Sequence, residues 1–502
     1  MLKIVFCQRI VYSLFGFMTI SAVLKEDGHE TDLVMQADPQ KAAQEILELA
    51  PDVVMFSALT ATGDIEWTLL IADRIKRKRP EILVVVGGTQ ATLFPAQTMA
   101  HASIDVACQG EGEPAMRELC RKVATGADYS RIRSLWVRTP QGVVENPMGN
   151  LVENLDDLPF PDREMYAKSG YFDRLDSLDV IAGRGCTFNC SYCMNTTLKE
   201  MMRGKGQFIR KHSPQYMIDQ LKELQERYHP KSFTFVDELF TVNKTWLREF
   251  CGLYKENITV PFICSVTADT VDEETAELLA EAGVFRVCLG LETGNEELRH
   301  KVLNKRFTNE QFFQTADRLH RHGIRFLTSN MLGLPGETVD NAFETVRLNR
   351  EAKTDYLYYS VFQPYPELVL TNQMKKDGLL DEPDPAGYDS TFFKGSLLKQ
   401  DNIRELVNLH KFFYLAVKFP WMEPLIRRLI RLPPNWFFEQ VFIVCFGWMQ
   451  FRCFKRNPVQ LLAMGIGNLK VYYSRNKESA PSPCGSAAKG SKDKEGQCSC
   501  AS

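Results

Sequence analysis

Long apolar runs are missing from this 502-residue sequence. Its longest strongly apolar stretch, Val441–Met449, falls well short of the ~20 residues that a membrane-spanning helix needs. An excess of charge of one sign is missing too. The chain holds 60 Lys plus Arg against 63 Asp plus Glu, a net −3, so the overall balance argues for no nucleic-acid partner. Cysteine is sparse for a secreted disulfide scaffold, at 14 residues, and its clustering points to metal chemistry in a reducing compartment. Met1–Cys7 lacks a basic segment leading into an apolar core and a small-residue cleavage site, so a cytoplasmic location is expected. Hydrophobic residues at 44% and charged residues at 25% are close to the globular average, which excludes wholesale disorder and a fibre.

Two regions of alternating strand and helix patterns are present instead. In the first, Lys3–Cys7, Asp32–Met35, Asp52–Ser57, Ile82–Val86 and Ile104–Cys108 read as strands; the third and fourth are the near-continuous apolar runs of strands buried on both faces. Leu14–Lys25, Pro39–Leu49, Trp67–Arg79 and Pro114–Ala124 read as helices between and after them. This predicts an open, doubly wound parallel sheet over residues 1–145, with ligands beyond the carboxyl ends of its strands. The loops Ser57–Gly63, Gly87–Thr92 and Gln109–Glu113 fall there, each mixing glycine with small or polar residues so that backbone can approach a ligand closely. Gly110-Glu-Gly112-Glu-Pro-Ala115 is a near match to a dinucleotide fingerprint, but it follows the last strand, not the first, and lacks the third glycine.

Residues 146–175 read as a linker, with the prolines of Leu155-Asp-Asp-Leu-Pro-Phe-Pro-Asp162 fixing an extended path. The second region, 176–375, has strands at Asp179–Ala182, Ser232–Val236, Phe262–Val266, Phe285–Leu289, Phe326–Met331 and Tyr356–Phe362, with helices between them. Six strands with crossover helices and no hairpin predict a (β/α)6 partial barrel, whose chemistry belongs at the carboxyl-terminal strand ends. Residues 376–477 are helical, aromatic and basic, and 401–477 alone holds 12 Lys/Arg against 4 Asp/Glu. Two readings of this region stand side by side: an interfacial helix lying on an anionic membrane, or a helical cap packed on the open side of the barrel. The tail 478–502, with Cys484, Cys498 and Cys500, is rich in Ser, Gly, Lys and Ala and is expected to be disordered.

The informative segment is Arg184-Gly-Cys186-Thr-Phe-Asn-Cys190-Ser-Tyr-Cys193, directly after the first strand of the second region. Three thiolates at these spacings converge when the chain loops around a small inorganic core, and soft ligands of this kind suit an iron–sulfur cluster or zinc. A closed structural zinc site needs a fourth ligand, and the next candidates, His212 and His229, are distant in sequence. Three thiolates on a four-iron cluster would leave one iron open to a substrate or cofactor.

Cys-x3-Cys-x2-Cys with Tyr192 before the last cysteine resembles the signature of the radical S-adenosylmethionine superfamily, and its surroundings resemble the subgroup with an N-terminal cobalamin-binding domain. Further segments resemble the family's motifs in the family's order. Phe235-Val-Asp237-Glu238 is similar to the segment whose acidic residues meet the methionyl amine, and Gly290-Leu-Glu292-Thr-Gly294 and Gly333-Leu-Pro-Gly336-Glu337 to the glycine motifs beside the adenosine. Gly87-Gly88-Thr89-Gln90-Ala-Thr92 and Gly110-Glu111-Gly-Glu113 are similar to the two loop motifs of the cobalamin domain, and Ser57, in the third loop at the strand ends, is a candidate contact by its position. Two departures stand out: Cys7-Gln-Arg-Ile-Val-Tyr12 offers no histidine for the lower face of cobalamin, and Gln90 stands where relatives have His.

The resemblance implies a 4Fe-4S cluster on Cys186, Cys190 and Cys193, S-adenosylmethionine at the open iron, and cobalamin on the first domain. Glu292 would meet the ribose hydroxyls; its alternative is an ion pair with a nearby Lys or Arg. The implied reaction is reductive cleavage to a 5′-deoxyadenosyl radical and C-methylation of an unactivated carbon on a hydrophobic substrate, with a flavodoxin- or ferredoxin-type electron donor. Radical cyclisation, as in anaerobic tetrapyrrole ring closure, is an alternative within the family. A non-catalytic iron–sulfur sensing protein is an alternative of another class.

Overall fold

A computed structural model describes residues 1–454 apart from 10–11, 61–62, 173–174, 381–392 and 394; the expected tail 478–502 and the end of the basic region, 455–477, lie outside the described residues. The first sheet runs β1 (Lys3–Gln8), β2 (Glu30–Met35), β3 (Val53–Ser57), β4 (Leu83–Gly87), β5 (Val106–Cys108), β6 (Leu135–Thr139) and β7 (Gly142–Glu145), in the spatial order β2-β1-β3-β4-β5-β6-β7. β1 to β5 are parallel, and alternate residues serve two cores. Ile4, Phe6, Met55 and Val85 face one layer of helices, while Val5, Val54, Phe56 and Val84 face the other. The strand order reverses at β1, between β2 and β3, which opens a crevice at the carboxyl ends as in other doubly wound sheets. The antiparallel hairpin β6–β7, to which the sequence reading assigned no element, extends the parallel sheet at the β5 edge.

The expected linker differs from an extended spacer. It holds a 3-10 turn at Leu155–Asp157 and a short helix at Glu164–Ala167. Tyr166 is wholly buried, donating to Gln8 Oε1 at 2.6 Å and accepting from the Leu14 amide at 2.9 Å, while the Tyr171 hydroxyl accepts from the Ser13 amide. The reason is the apolar area of Tyr166, Tyr171 and Phe172, which would be costly to leave in water. The prolines shape a segment that mortars two sheets together.

The second sheet is open and wholly parallel, in the order β15-β14-β13-β12-β11-β8. Its strands are β8 (Ser177–Val180), β11 (Ser232–Phe235), β12 (Phe262–Val266), β13 (Val284–Glu292), β14 (Arg325–Leu332) and β15 (Tyr356–Val361); β9 (Gly183–Arg184) and β10 (Arg210–Lys211) form a small antiparallel pair. This is the partial barrel that the sequence pattern predicts. Helices start where side chains satisfy the free amides of the first turn: Ser213, Asn243, Asp272, Thr308 and Thr338 each accept from an amide two or three residues into their helices.

After the barrel, helix Ile403–Lys418 and helix Trp436–Phe454 pack on β15 and helix Val339–Glu351. Phe438, Phe442, Cys445, Met449 and Cys453 form the buried stripe of the last helix at helical spacing, and Phe442 and Phe446 meet the Tyr359 ring edge-on. The packed-cap reading therefore describes one face of this region. Among the described residues no helix is long and apolar enough to cross a membrane.

Candidate active site

The cysteine loop starts from a backbone constraint. Gly185 sits at φ +85°, and a Cβ there would collide with the Phe208 carbonyl oxygen, so glycine alone lets the chain turn out of the β9–β10 pair towards Cys186. The loop is then tied from both sides. The Ser191 amide donates to the Leu303 carbonyl at 3.0 Å, the Leu370 amide to the Ser191 carbonyl at 2.9 Å, and Asn304 Nδ2 to the Asn189 carbonyl at 2.8 Å. Cys193 caps the helix Met194–Met201, and its amide returns to the Cys190 carbonyl at 3.1 Å.

The three thiols interact electrostatically with one another, and burial pushes Cys190 up to about 11 and raises Cys186; the Lys305 ammonium pulls both in the opposite direction. Among the described residues no group of three or more His, Cys, Asp or Glu side chains is arranged to hold a metal ion. Three thiols on one constrained loop, beside a buried cation that favours thiolates, fit the donor set of an iron–sulfur cluster.

Around the loop stand the ends of β11, β13 and β14. Asp237, just past β11, accepts from the Ala182 amide at 2.8 Å and from Lys211 Nζ at 3.3 Å, so both of its oxygens are engaged within the protein. Glu238 is on the accessible side, hydrogen-bonded to Asn195, with its carboxyl raised by partial burial and by Asp237. Glu292 ends β13 in the left-handed region at φ +68° and is paired with Lys305 Nζ at 3.0 Å, the ion pair that was its alternative reading. A Cβ at Gly290 would lie 2.5 Å from Lys305 Nζ and 2.7 Å from Glu292 Oε1, so this glycine makes room for the pair. Tyr192 is hydrogen-bonded to Glu292, and burial together with that carboxylate holds its phenol well above the ordinary range. After β14, Gly333 and Gly336 turn at φ +80° and +75°, and Glu337 accepts from the Gly333 amide at 2.6 Å and the Leu334 amide at 3.1 Å. Burial pushes Glu337 up to about 8.

The other group of expected residues surrounds a cavity of about 340 Å³ between the first sheet and the barrel. Ser57, Gly87, Gly88, Gly110 and Glu111 line one wall, and Gly183, Arg184 and His212 the other. Thr89 and Gln90 are not on this lining: Thr89 Oγ1 accepts from the Thr60 amide at 3.0 Å, and Gln90 is buried with its amide on the Ala58 carbonyl. Gly88, at φ +87°, lies so close to β3 that a Cβ would come within 2.6 Å of the Ala58 carbonyl oxygen, so the backbone itself forms the cradle. Phe6, Phe15, Phe17 and Met55 supply apolar surface. The chemistry of this cleft, with glycine backbone on one wall and apolar rings beside it at the strand ends, suits contact with one face of a corrin ring. No histidine enters from the loop after β1, where Gln8 bonds Tyr12 and Tyr166 and Arg9 pairs with Asp64 at 2.9 Å.

Glu111, besides lining this cavity, is held by an ionic cluster. Its carboxylate takes Arg210 at 2.7 and 3.0 Å, Arg184 at 2.9 Å and the Val152 amide at 2.7 Å, and Arg184 also binds Glu113 at 2.6 Å. This ionic cluster ties the first sheet to the β9–β10 pair that leads into Cys186. Sequence reasoning missed Lys305 and Arg210, which lie outside the motifs, and it met His212 only as a candidate metal ligand and Asp156 only as part of the linker, not as the pair they form at an Oδ1–Nδ1 distance of 2.9 Å.

Comparison with known proteins agrees with this arrangement. Residues 180–348 match the radical SAM superfamily and residues 8–120 the B12 binding domain. An uncharacterized methyltransferase of Pyrococcus horikoshii is 27% identical over 327 residues, covering 64% of this chain and 69% of its own length. The anaerobic magnesium-protoporphyrin IX monomethyl ester cyclase of Rubrivivax gelatinosus is 27% identical over 436 residues, covering 82% and 75%. The radical S-adenosylmethionine methyltransferase TsrM from Kitasatospora setae, solved with cobalamin and a 4Fe-4S cluster bound, superimposes with a TM-score of 0.62 at 16% identity, covering 86% of this chain and 99% of its own, a likeness of fold. With its two domains accounted for in order, the chain belongs to the radical SAM superfamily, among the members that carry a B12-binding domain ahead of the barrel.

Proposed function

We propose that this protein transfers a methyl group to an unactivated carbon of a hydrophobic small molecule, using a 4Fe-4S cluster, S-adenosylmethionine and cobalamin. The observation that carries the reading is adjacency. Gly183 and Arg184 line the cavity of the first domain, and two residues later Cys186 opens the thiol loop. A radical site and a methyl-carrying site are thus neighbours, as a substrate that must meet both requires.

When bound, the cluster supplies the electron that cleaves S-adenosylmethionine to a 5′-deoxyadenosyl radical, and cobalamin supplies the methyl group. In this reading Cys186, Cys190 and Cys193 hold the cluster. Glu238 accepts from the methionyl ammonium, because both oxygens of Asp237 are already engaged by Lys211 and the Ala182 amide. The Glu292–Lys305 pair faces the ribose, with Tyr192 fixing the carboxylate. Backbone at Gly333 and Gly336 lies beside the adenosine, and Ser57, Gly87, Gly88, Thr89, Gln90 and Gly110 belong to the cobalamin loops. Glu111 acts one step removed, holding the two domains in register. A flavodoxin- or ferredoxin-type donor in the cytoplasm completes the system.

The test is anaerobic purification and reconstitution, followed by an absorption spectrum, cobalamin extraction and incubation with a methyl-labelled donor. Replacing the three cysteines by Ala should abolish the iron–sulfur absorption and 5′-deoxyadenosine formation. A second reading, radical ring closure, draws support from the cyclase relative that matches 82% of this chain. Ring closure without label transfer would establish it, and an iron–sulfur protein that forms no 5′-deoxyadenosine would overturn both.

A further inference from the structure

Helix Trp436–Phe454 presents an apolar surface in two directions. Its inner stripe, from Phe438 to Cys453, is spent on the barrel edge. On the opposite side Trp436 is 75% exposed, Phe437 57%, Val444 69% and Trp448 54%. The preceding turn and helix add Trp421 and Leu425, both exposed. Of the 15 large hydrophobic residues exposed among the described residues, nine fall between Phe419 and Trp448. A helix apolar on all sides is ordinarily covered on all sides.

Charge indicates what covers it. Arg428, Arg431 and Arg452 are exposed and form no ion pair among the described residues. The acidic groups of the two outer helices are already taken: Glu423 by Arg347, Arg350 and Arg427, and Glu439 by Lys411. The same segment, 421–452, therefore carries both exposed tryptophan and aliphatic side chains and exposed, unneutralised arginines, the combination that seats a helix in the headgroup layer of an anionic bilayer. A protein partner of acidic character would match the arginines, but would leave tryptophans at three separated positions, 421, 436 and 448, without the amphipathic boundary that suits them.

We propose that the outward face of helices Glu423–Leu429 and Trp436–Phe454 docks on an anionic lipid bilayer. The two readings of this region are then two faces of one element, a cap inward and a membrane anchor outward. The inference rests on the proposed function only for its purpose, delivery of a lipid-soluble substrate to the barrel edge at β15.

The test needs no turnover, so its failure and the failure of the methylation reading are separate. The full chain is floated with vesicles of phosphatidylcholine alone and of an equimolar phosphatidylcholine–phosphatidylglycerol mixture, at low and high salt. Flotation is expected with the mixed vesicles and is expected to fall at high salt. Arg428→Glu with Arg431→Glu should weaken binding more than about tenfold. Trp436→Ser with Val444→Ser and Trp448→Ser should abolish it while leaving cobalamin and iron content unchanged, since these side chains pack against no buried core. A wild-type chain that stays with the soluble fraction, or variants that float as well as wild type, would overturn the proposal. So would a stable dimer in sedimentation that the serine variant converts to monomer, because a second copy would then cover the face.

Discussion

Replacing Arg210 by Met removes two of the four contacts that hold the Glu111 carboxylate, at 2.7 and 3.0 Å, and leaves Arg184 at 2.9 Å and the Val152 amide at 2.7 Å. The side chains of Arg210 and Glu111 are only 5% and 10% exposed, so solvent does not screen the loss as it would at a surface. A charge-assisted hydrogen bond contributes about 1.5–3 kcal/mol, and removing one partner of a buried pair costs about 3–5 kcal/mol. With half of the contacts retained, we expect a destabilisation of about 3 kcal/mol. Glu111→Gln should cost a similar amount, and the double variant should recover a coupling of about 2 kcal/mol. The measurement is the urea unfolding midpoint, since the pair lies where the first sheet meets the barrel and one buried core runs through both. The pH dependence gives a second check. Burial raises the Glu111 carboxyl, but its bond to Arg210 and the charge of Arg184 win and lower it. Its contribution is therefore full above the ordinary value of 4.5 and is lost as pH falls below it. A coupling under about 0.5 kcal/mol would refute the reasoning, because it would mean that the two side chains act independently.

Other outcomes follow from particular contacts. Gly88→Ala places a methyl group 2.6 Å from the Ala58 carbonyl oxygen at a φ that costs about 1–2 kcal/mol for an L-residue; cobalamin retained after desalting should fall well below that of wild type, and full retention would remove this loop from the cofactor site. Gly294→Ala pushes a Cβ to 2.6 Å from Thr345 Cα in the neighbouring helix, an overpacking expected to cost about 1–3 kcal/mol in the urea midpoint. His410 is wholly buried between the Phe393 and Phe442 rings and accepts a proton poorly: burial, then the Lys411 charge, bring it down to about 3 from 6.5. The unfolded chain binds that proton first, so stability is full above pH 6.5 and falls as pH drops towards 3, by about 2 kcal/mol at pH 5. His410→Leu should flatten that part of the stability profile, and an unchanged slope would refute the assignment.

Local periodicity was enough for most of the fold. The apolar runs of β3 and β4 and the alternation through the second region are each set by residues adjacent in the chain, and the six-stranded partial barrel follows from them. The cysteine segment was equally legible, because three soft ligands within eight residues have few other uses. Side chains whose partners come from far along the chain were not legible. Glu111 reads as a loop residue beside a cofactor, and nothing near it in the chain announces Arg210, 99 positions away, which closes on it in the fold. Glu292 carries two plausible neighbourhoods in sequence, and only the fold brings Lys305 to it. Residues 146–175 looked like a spacer because prolines are visible locally, whereas the packing of Tyr166 against Gln8 is not. The basic aromatic region posed a choice between cap and membrane surface that periodicity could not make, since a helix apolar on both faces has no period to read. Chemistry confined to a short stretch is written in the sequence; burial and pairing, which depend on what the rest of the chain places alongside, are decided by the tertiary structure.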